Sequence, residues 1–171
     1  SDSDYFEHVT SRPCPAWRPD ELVEIVFRSC EIKKAVVEAD ETEQGLRKTL
    51  NFGHTIGHAA ESLALEHGLA LTHGEAVAIG MAGEALLSWK LGLISEESFA
   101  RARAGIAHAG LPTVLPQRMP TAKLRELIAR DKKNVGAEVR FVLLEKIGQA
   151  CFDQVVPEPL IEEALEAIQP R

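Results

Sequence analysis

The stretch Gly45-Leu46-Arg47-Lys48-Thr49-Leu50-Asn51-Phe52-Gly53-His54-Thr55-Ile56-Gly57-His58-Ala59-Ala60-Glu61 constrains this chain more than any other part of it. Its apolar spacing predicts a helix that begins at Leu46 or Asn51, runs to Glu66 and stops near Gly68. At about 100° per residue, Arg47, Asn51, His54 and His58 then fall within about 60° of one another, provided the helix extends that far back. Ile56, Ala60 and Leu63 lie on the opposite side and supply the core contact, which leaves the polar stripe to line a cavity. Gly53 and Gly57 each cost about 1 kcal/mol against Ala inside a helix, a penalty tolerated where another backbone or a ligand comes close.

The surrounding pattern is helical as well. Leu22, Ile25, Val26 and Cys30 predict a helix from Glu21 to about Glu38 with Asp20 as its N-cap, and another runs from His73 to about Lys90, stopped by Gly92. Ser95-Glu96-Glu97 opens a further helix that Gly110 and Pro112 end, Thr121–Arg130 forms a shorter one, and Leu160, Ile161, Ala164, Leu165 and Ile168 mark a closing helix after Pro159. Val139–Leu144 and Cys151–Val156, divided by a turn around Gly148, predict a β-hairpin. Residues 1–20, with Pro13, Pro15 and Pro19, read as an irregular arm or linker. The expected architecture is mainly α: one helical domain over residues 21–171 with a single small antiparallel hairpin.

With 45% apolar and 26% charged residues in 171, the chain is an ordinary globular one with room for a single core. Its net charge of −7 provides no general basic field for nucleic acid or an anionic membrane surface, so an anionic ligand must be held by a local cluster. Lys33, Lys34, Arg47, Arg130, Lys132 and Lys133 are the candidates; for Lys34, Lys48, Arg130 and one of the Lys132/Lys133 pair a solvated surface is the better reading. The most apolar segment, Ala76–Ala82, is far shorter than the roughly 20 residues of a membrane helix. Three cysteines without CxxC spacing, and no secretory leader, suggest a reducing, cytoplasmic setting. His54 and His58 at i, i+4 form a metal-binding spacing, and His73 offers a third nitrogen from the next helix. The residue after His54 is not Glu, which argues against a HExxH metalloprotease. His8, His67 and His108 read as solvated.

Several motifs arrive in the order of one family. Lys33-Lys34-Ala35-Val36-Val37-Glu38-Ala39-Asp40-Glu41, then Gly45-Leu46-Arg47, Leu50-Asn51-Phe52-Gly53-His54-Thr55-Ile56-Gly57-His58-Ala59, His73-Gly74-Glu75-Ala76-Val77-Ala78-Ile79-Gly80-Met81 and Asp131-Lys132-Lys133-Asn134 closely resemble the C-terminal half of 3-dehydroquinate synthase. The resemblance implies a lyase of the shikimate pathway of aromatic amino acid biosynthesis. Such an enzyme converts the sugar phosphate DAHP to 3-dehydroquinate, using NAD and a divalent metal, zinc or cobalt, through oxidation, phosphate loss, reduction and ring closure. It would make His54 and His73 metal ligands and His58 a phosphate contact that assists proton movement. Asn51 would also touch phosphate, Lys33 and Arg47 would bind the substrate carboxylate region, and Lys132, in preference to Lys133, would reach the phosphate. A homodimer is the expected state of the full-length enzyme.

The chain departs from that family in one respect. It shows no G-x-G-x-x-G and no strand–helix alternation able to hold a dinucleotide, and the family's upstream Glu ligand, followed three residues later by Lys, is absent. Together with Ser1 as first residue, this reads as the metal- and substrate-binding half without the N-terminal nucleotide-binding domain, inactive alone. Two other readings stand beside it: a sugar phosphate cyclase of the deoxy-inosose or valiolone synthase type, and a noncatalytic helical interaction module.

Overall fold

The computed structural model describes residues 2–133 and 139–171, with the backbone alone for 131–133. In chain order it contains α1 (Ser3–Val9), a 3-10 turn (Cys14–Ala16), α2 (Pro19–Ala39) and a 3-10 helix (Leu46–Asn51), followed by α3 (His54–Glu66), α4 (His73–Lys90), α5 (Glu96–His108) and α6 (Thr121–Lys133). Strands β1 (Phe141–Lys146) and β2 (Gln149–Gln154) form an antiparallel ribbon, and α7 (Glu158–Ala167) closes the chain. The architecture is the expected one, mainly α with one hairpin. Among the described residues no helix is long and apolar enough to cross a membrane.

α4 is the axis of the fold. Residues Ala82 to Ser88 are buried without interruption, as befits a helix apolar on every side, and α3, α5, α7 and β1 all pack on it. Its buried Ser88 is fully hydrogen-bonded: the hydroxyl donates to the Glu84 carbonyl at 2.7 Å and accepts the Leu144 amide at 2.9 Å, which fastens the ribbon to the helix. At the other end of the core, Gln169 accepts the Met119 amide at 2.9 Å and donates back to the Met119 carbonyl at 3.0 Å, tying the end of α7 to the segment before α6. Ile56, Leu63, Ile79, Leu87, Phe141 and Leu165 fill the space between.

α3 and α4 form an antiparallel hairpin whose backbones touch. A Cβ placed on Gly80 would lie 1.9 Å from the Gly53 carbonyl oxygen and 2.7 Å from the Gly57 nitrogen, and one on Gly57 would lie 3.0 Å from the Ala76 oxygen. The expected tolerance of Gly53 and Gly57 therefore has its cause in a neighbouring main chain. The short connection ends in a capping box, with Thr72 Oγ1 accepting the Glu75 amide and the Glu75 carboxylate accepting the Thr72 amide at 2.9 Å.

Four expectations are corrected. The helix does not run continuously from Leu46 or Asn51: Gly53 adopts φ +87°, which separates the 3-10 helix from α3. Residues 1–20 are not irregular throughout, because α1 is held by the Tyr5 hydroxyl donating to the Ile25 carbonyl at 2.7 Å. The Arg12 guanidinium also sits 3.7 Å over the buried Trp17 ring. α2 starts at Pro19 with Arg18 as its cap, the first-turn position that suits proline's fixed φ. The ribbon is shifted about two residues from its expected limits because the link is only Ile147-Gly148, with Gly148 at φ +89°.

Substituting Gly80→Ala is expected to destabilise the chain by about 3 kcal/mol or more, as overpacking against rigid backbone does. Gly74→Ala, where an added Cβ meets nothing within 4 Å, should leave stability unchanged or slightly raised. Urea midpoints of the two variants check this pair.

Candidate metal and substrate site

The first turn of a helix presents amide N–H groups without intrahelical partners and the positive end of the helix dipole. In α3 this need is met from the neighbouring helix: the fully buried Glu84 carboxylate accepts the Gly53 amide at 2.6 Å, the Thr55 amide at 3.1 Å and the Ile56 amide at 3.3 Å. The turn that carries His54 is thereby fixed to α4. His58 follows one turn later, and His73 opens α4 directly after its Thr72 cap.

The glycine contact brings these three rings together. Ring centroids are 5.3 Å apart for His54 and His58, 5.6 Å for His54 and His73, and 5.7 Å for His58 and His73. Each ring offers a nitrogen within 4.8 Å of the others, a set able to hold a metal ion. Burial, reinforced by the neighbouring His58 and His73 rings, holds the His54 imidazole below its ordinary pKa, which favours the neutral form a cation requires. His54 Nδ1 lies 3.4 Å from the Phe52 carbonyl and His73 Nδ1 lies 3.0 Å from Glu61 Oε2. A carbonyl or carboxylate only accepts, so each contact requires the proton on Nδ1, the tautomer in which the lone pair of Nε2 is available to a cation. No hydrogen bond to the His58 ring is found among the described residues. Neutral imidazoles of this kind suit zinc or cobalt.

The four-residue stripe of Arg47, Asn51, His54 and His58 is not realised, because Arg47 and Asn51 belong to the 3-10 helix on the far side of Gly53. Arg47 donates its amide to Asp40 at 3.0 Å and its guanidinium to the Glu41 carbonyl at 2.9 Å. Asn51 donates to Glu43 at 2.7 Å and opens on a cleft of about 540 Å³ whose lining includes Glu43, Lys48, Thr55, Arg140 and Asp153. Lys33 is exposed on α2, which packs against the 3-10 helix carrying Arg47 and Asn51. Lys132 and Lys133 have side chains outside the described residues, as does Asn134 entirely.

Sequence reasoning missed four contributors. Glu84 was visible as a single acid in the apolar run from Ala76 to Leu87. Glu61 stood at the end of the quoted motif, and Glu43, at φ +57°, in the acidic turn before it. Lys48, set aside as surface charge, is half-buried and pairs with Asp153 of the ribbon at 2.7 Å.

These elements define a helical domain with a three-imidazole centre, and solved structures share the fold. A 2-epi-5-epi-valiolone synthase from Streptomyces hygroscopicus, with NAD+ and Zn2+ bound, superposes with a TM-score of 0.82 at 25% identity over 98% of this chain and 47% of its own. A 2-deoxy-scyllo-inosose synthase complexed with carbaglucose-6-phosphate, NAD+ and Co2+ gives 0.77 at 23% identity over 88% and 43%. The chain itself belongs to the 3-dehydroquinate synthase family, whose C-terminal profile matches residues 1–134. The 3-dehydroquinate synthase of Synechococcus sp. is 42% identical over 98% of this chain, and that of Pelotomaculum thermopropionicum is 47% identical over 85%. The chain spans less than half the length of these relatives, 46% and 39%.

The loop that carries Arg47 is organised by Asp40, which accepts the amides of Gln44 at 3.1 Å and Gly45 at 2.7 Å as well as Arg47. The Arg47 and then the Gly45 amide hold its carboxyl below the ordinary value. A depressed folded-state pKa contributes stability above the unfolded value, about pH 4, and loses it as pH falls through the folded value. Asp40→Asn should therefore be less stable than the parent at pH 7, with the gap closing at pH values below that range. Urea melts across pH measure this.

Proposed function

We propose that this chain supplies the metal- and substrate-contacting machinery of 3-dehydroquinate synthase, a lyase that converts DAHP to 3-dehydroquinate with release of phosphate. The observation that carries the reading is the convergence of His54, His58 and His73 in a chain that belongs to this family. Residues 21–171 form the catalytic domain in this reading and residues 1–20 its arm. The full-length enzyme is a cytoplasmic homodimer.

His54 and His73, each with Nδ1 engaged and Nε2 open, hold the divalent cation. That ion, when bound, acidifies a substrate hydroxyl and polarises the carbonyl formed from it. His58, whose ring makes no hydrogen bond among the described residues, contacts the phosphate and moves the proton. Asn51 also contacts phosphate, and Lys132 does so from the end of α6. Lys33 and Arg47 take the substrate carboxylate, as point charge and planar fork. That cationic pair favours a carboxylate-bearing substrate over the carboxylate-free sugar phosphates of deoxy-inosose and valiolone synthases. NAD enters through the likeness to structures solved with it. The sequence holds no glycine-rich dinucleotide loop.

Zinc titration of the chain, and turnover of a chimera joining it to the N-terminal half of the Synechococcus sp. relative, test the assignment. His54→Ala and His73→Ala are expected to lower zinc affinity by more than about 100-fold, beyond the usual effect of outer-shell partners. His58→Ala should retain zinc and slow dehydroquinate formation by about 10²–10⁴-fold. Zinc loss in the His58 variant would instead make His54 and His58 an HxxxH ligand pair. The 171-residue chain supplied with NAD and zinc should form no dehydroquinate by itself.

A further inference from the structure

Glu61 takes no part in the chemistry above, yet it lies on the imidazole face of α3, three residues after His58 and seven after His54. Its carboxylate reaches across to α4, where Oε2 lies 3.0 Å from His73 Nδ1. It is not among the groups whose ligand atoms converge, which are the three imidazoles alone, and its contact is with the Nδ1 side of the His73 ring. Packing does little to hold that ring: the His73 side chain is 55% exposed and that of Glu61 37%. An exposed carboxylate–imidazole pair contributes little to stability. What it can do is select a tautomer and a ring orientation.

We propose that Glu61 is a positioning residue of the metal centre, fixing His73 as the Nδ1–H tautomer so that Nε2 points to the site shared with His54. The bond needs the ring proton on Nδ1 and removes the alternative in which Nε2 carries the proton and the ring presents no lone pair to a cation. His54 is served in the same way by the Phe52 carbonyl, at 3.4 Å. A backbone acceptor on one ligand and a carboxylate on the other is the outer-shell pattern that orients imidazoles around a metal. The inference rests on the metal reading for its purpose, whereas the tautomer is a property of the chain with or without an ion.

The test uses the full 171-residue chain, labelled with 15N at histidine, in long-range 1H–15N spectra at about pH 8, above the ordinary imidazole range. His73 is expected as the Nδ1–H tautomer in the parent and as a mixture, or the Nε2–H form, in Glu61→Met. Glu61→Gln, which keeps an acceptor oxygen, should retain Nδ1–H. Thermal midpoints should be unchanged in both variants, and zinc affinity should fall about 10–100-fold in Glu61→Met. An Nε2–H ring in the parent, or an unchanged tautomer in Glu61→Met, overturns the proposal, as does a changed tautomer with undiminished zinc affinity. If the tautomer responds while the parent binds no zinc, the orienting bond stands and the metal reading of the three imidazoles fails.

Discussion

The fold depends on one contact, the meeting of two helix backbones at Gly53, Gly57 and Gly80. Side chains usually hold helix axes 8–10 Å apart, and at these positions there are none. Main chain against main chain sets the helix register, and the register sets the site. His54 and His58 on one helix come level with His73 on the other only because Gly80 sits beside the Gly53 carbonyl. The same closeness places Gly83 against Ile56, so the hydrophobic packing behind the imidazoles follows from the contact that positions them.

A buried charge secures the arrangement. Glu84 lies in the most apolar part of the molecule, where an uncompensated carboxylate would be strongly unfavourable. Three amides at the start of α3 compensate it, and those amides would otherwise be orphaned by the left-handed turn at Gly53. Each half of the interaction therefore solves the other's problem, and His54 begins the turn so fixed. The remaining anionic partners act nearer the surface. Asp40 organises the turn that leads to Arg47, and Asp153, itself at φ +57°, draws Lys48 to the ribbon.

The rest of the candidate site lies on the other side of that turn. The 3-10 helix holding Arg47 and Asn51 packs against α2, which carries Lys33, and both ribbon strands contact it as well. The cleft at Asn51 is consequently walled by residues distant in sequence, from Glu43 to Asp153. Through Thr55, next to His54, the imidazole centre adjoins a cleft lined by both charged and aromatic side chains.

Most helices, the ribbon and all three histidines were legible in the sequence because periodicity, caps and local spacing are properties of short segments. Thr72 with Glu75 marks a helix start wherever it occurs, and Gly148 marks a turn. The break at Gly53 was not legible, since a glycine inside an apolar helical pattern is consistent with a continuing helix until a neighbouring backbone requires φ +87°. Nor was the ordering of α1, whose Tyr5 finds its partner twenty residues on. Sequence alone determined the order of the motifs and the candidate residues they carry. Tertiary structure decided that His73 meets His54 and His58, that Arg47 and Asn51 leave their stripe, that Glu84 takes the first amides of α3 and that Glu61 lies against His73. Those outcomes depend on distances between separate helices, which the glycine contact fixes and no local pattern encodes.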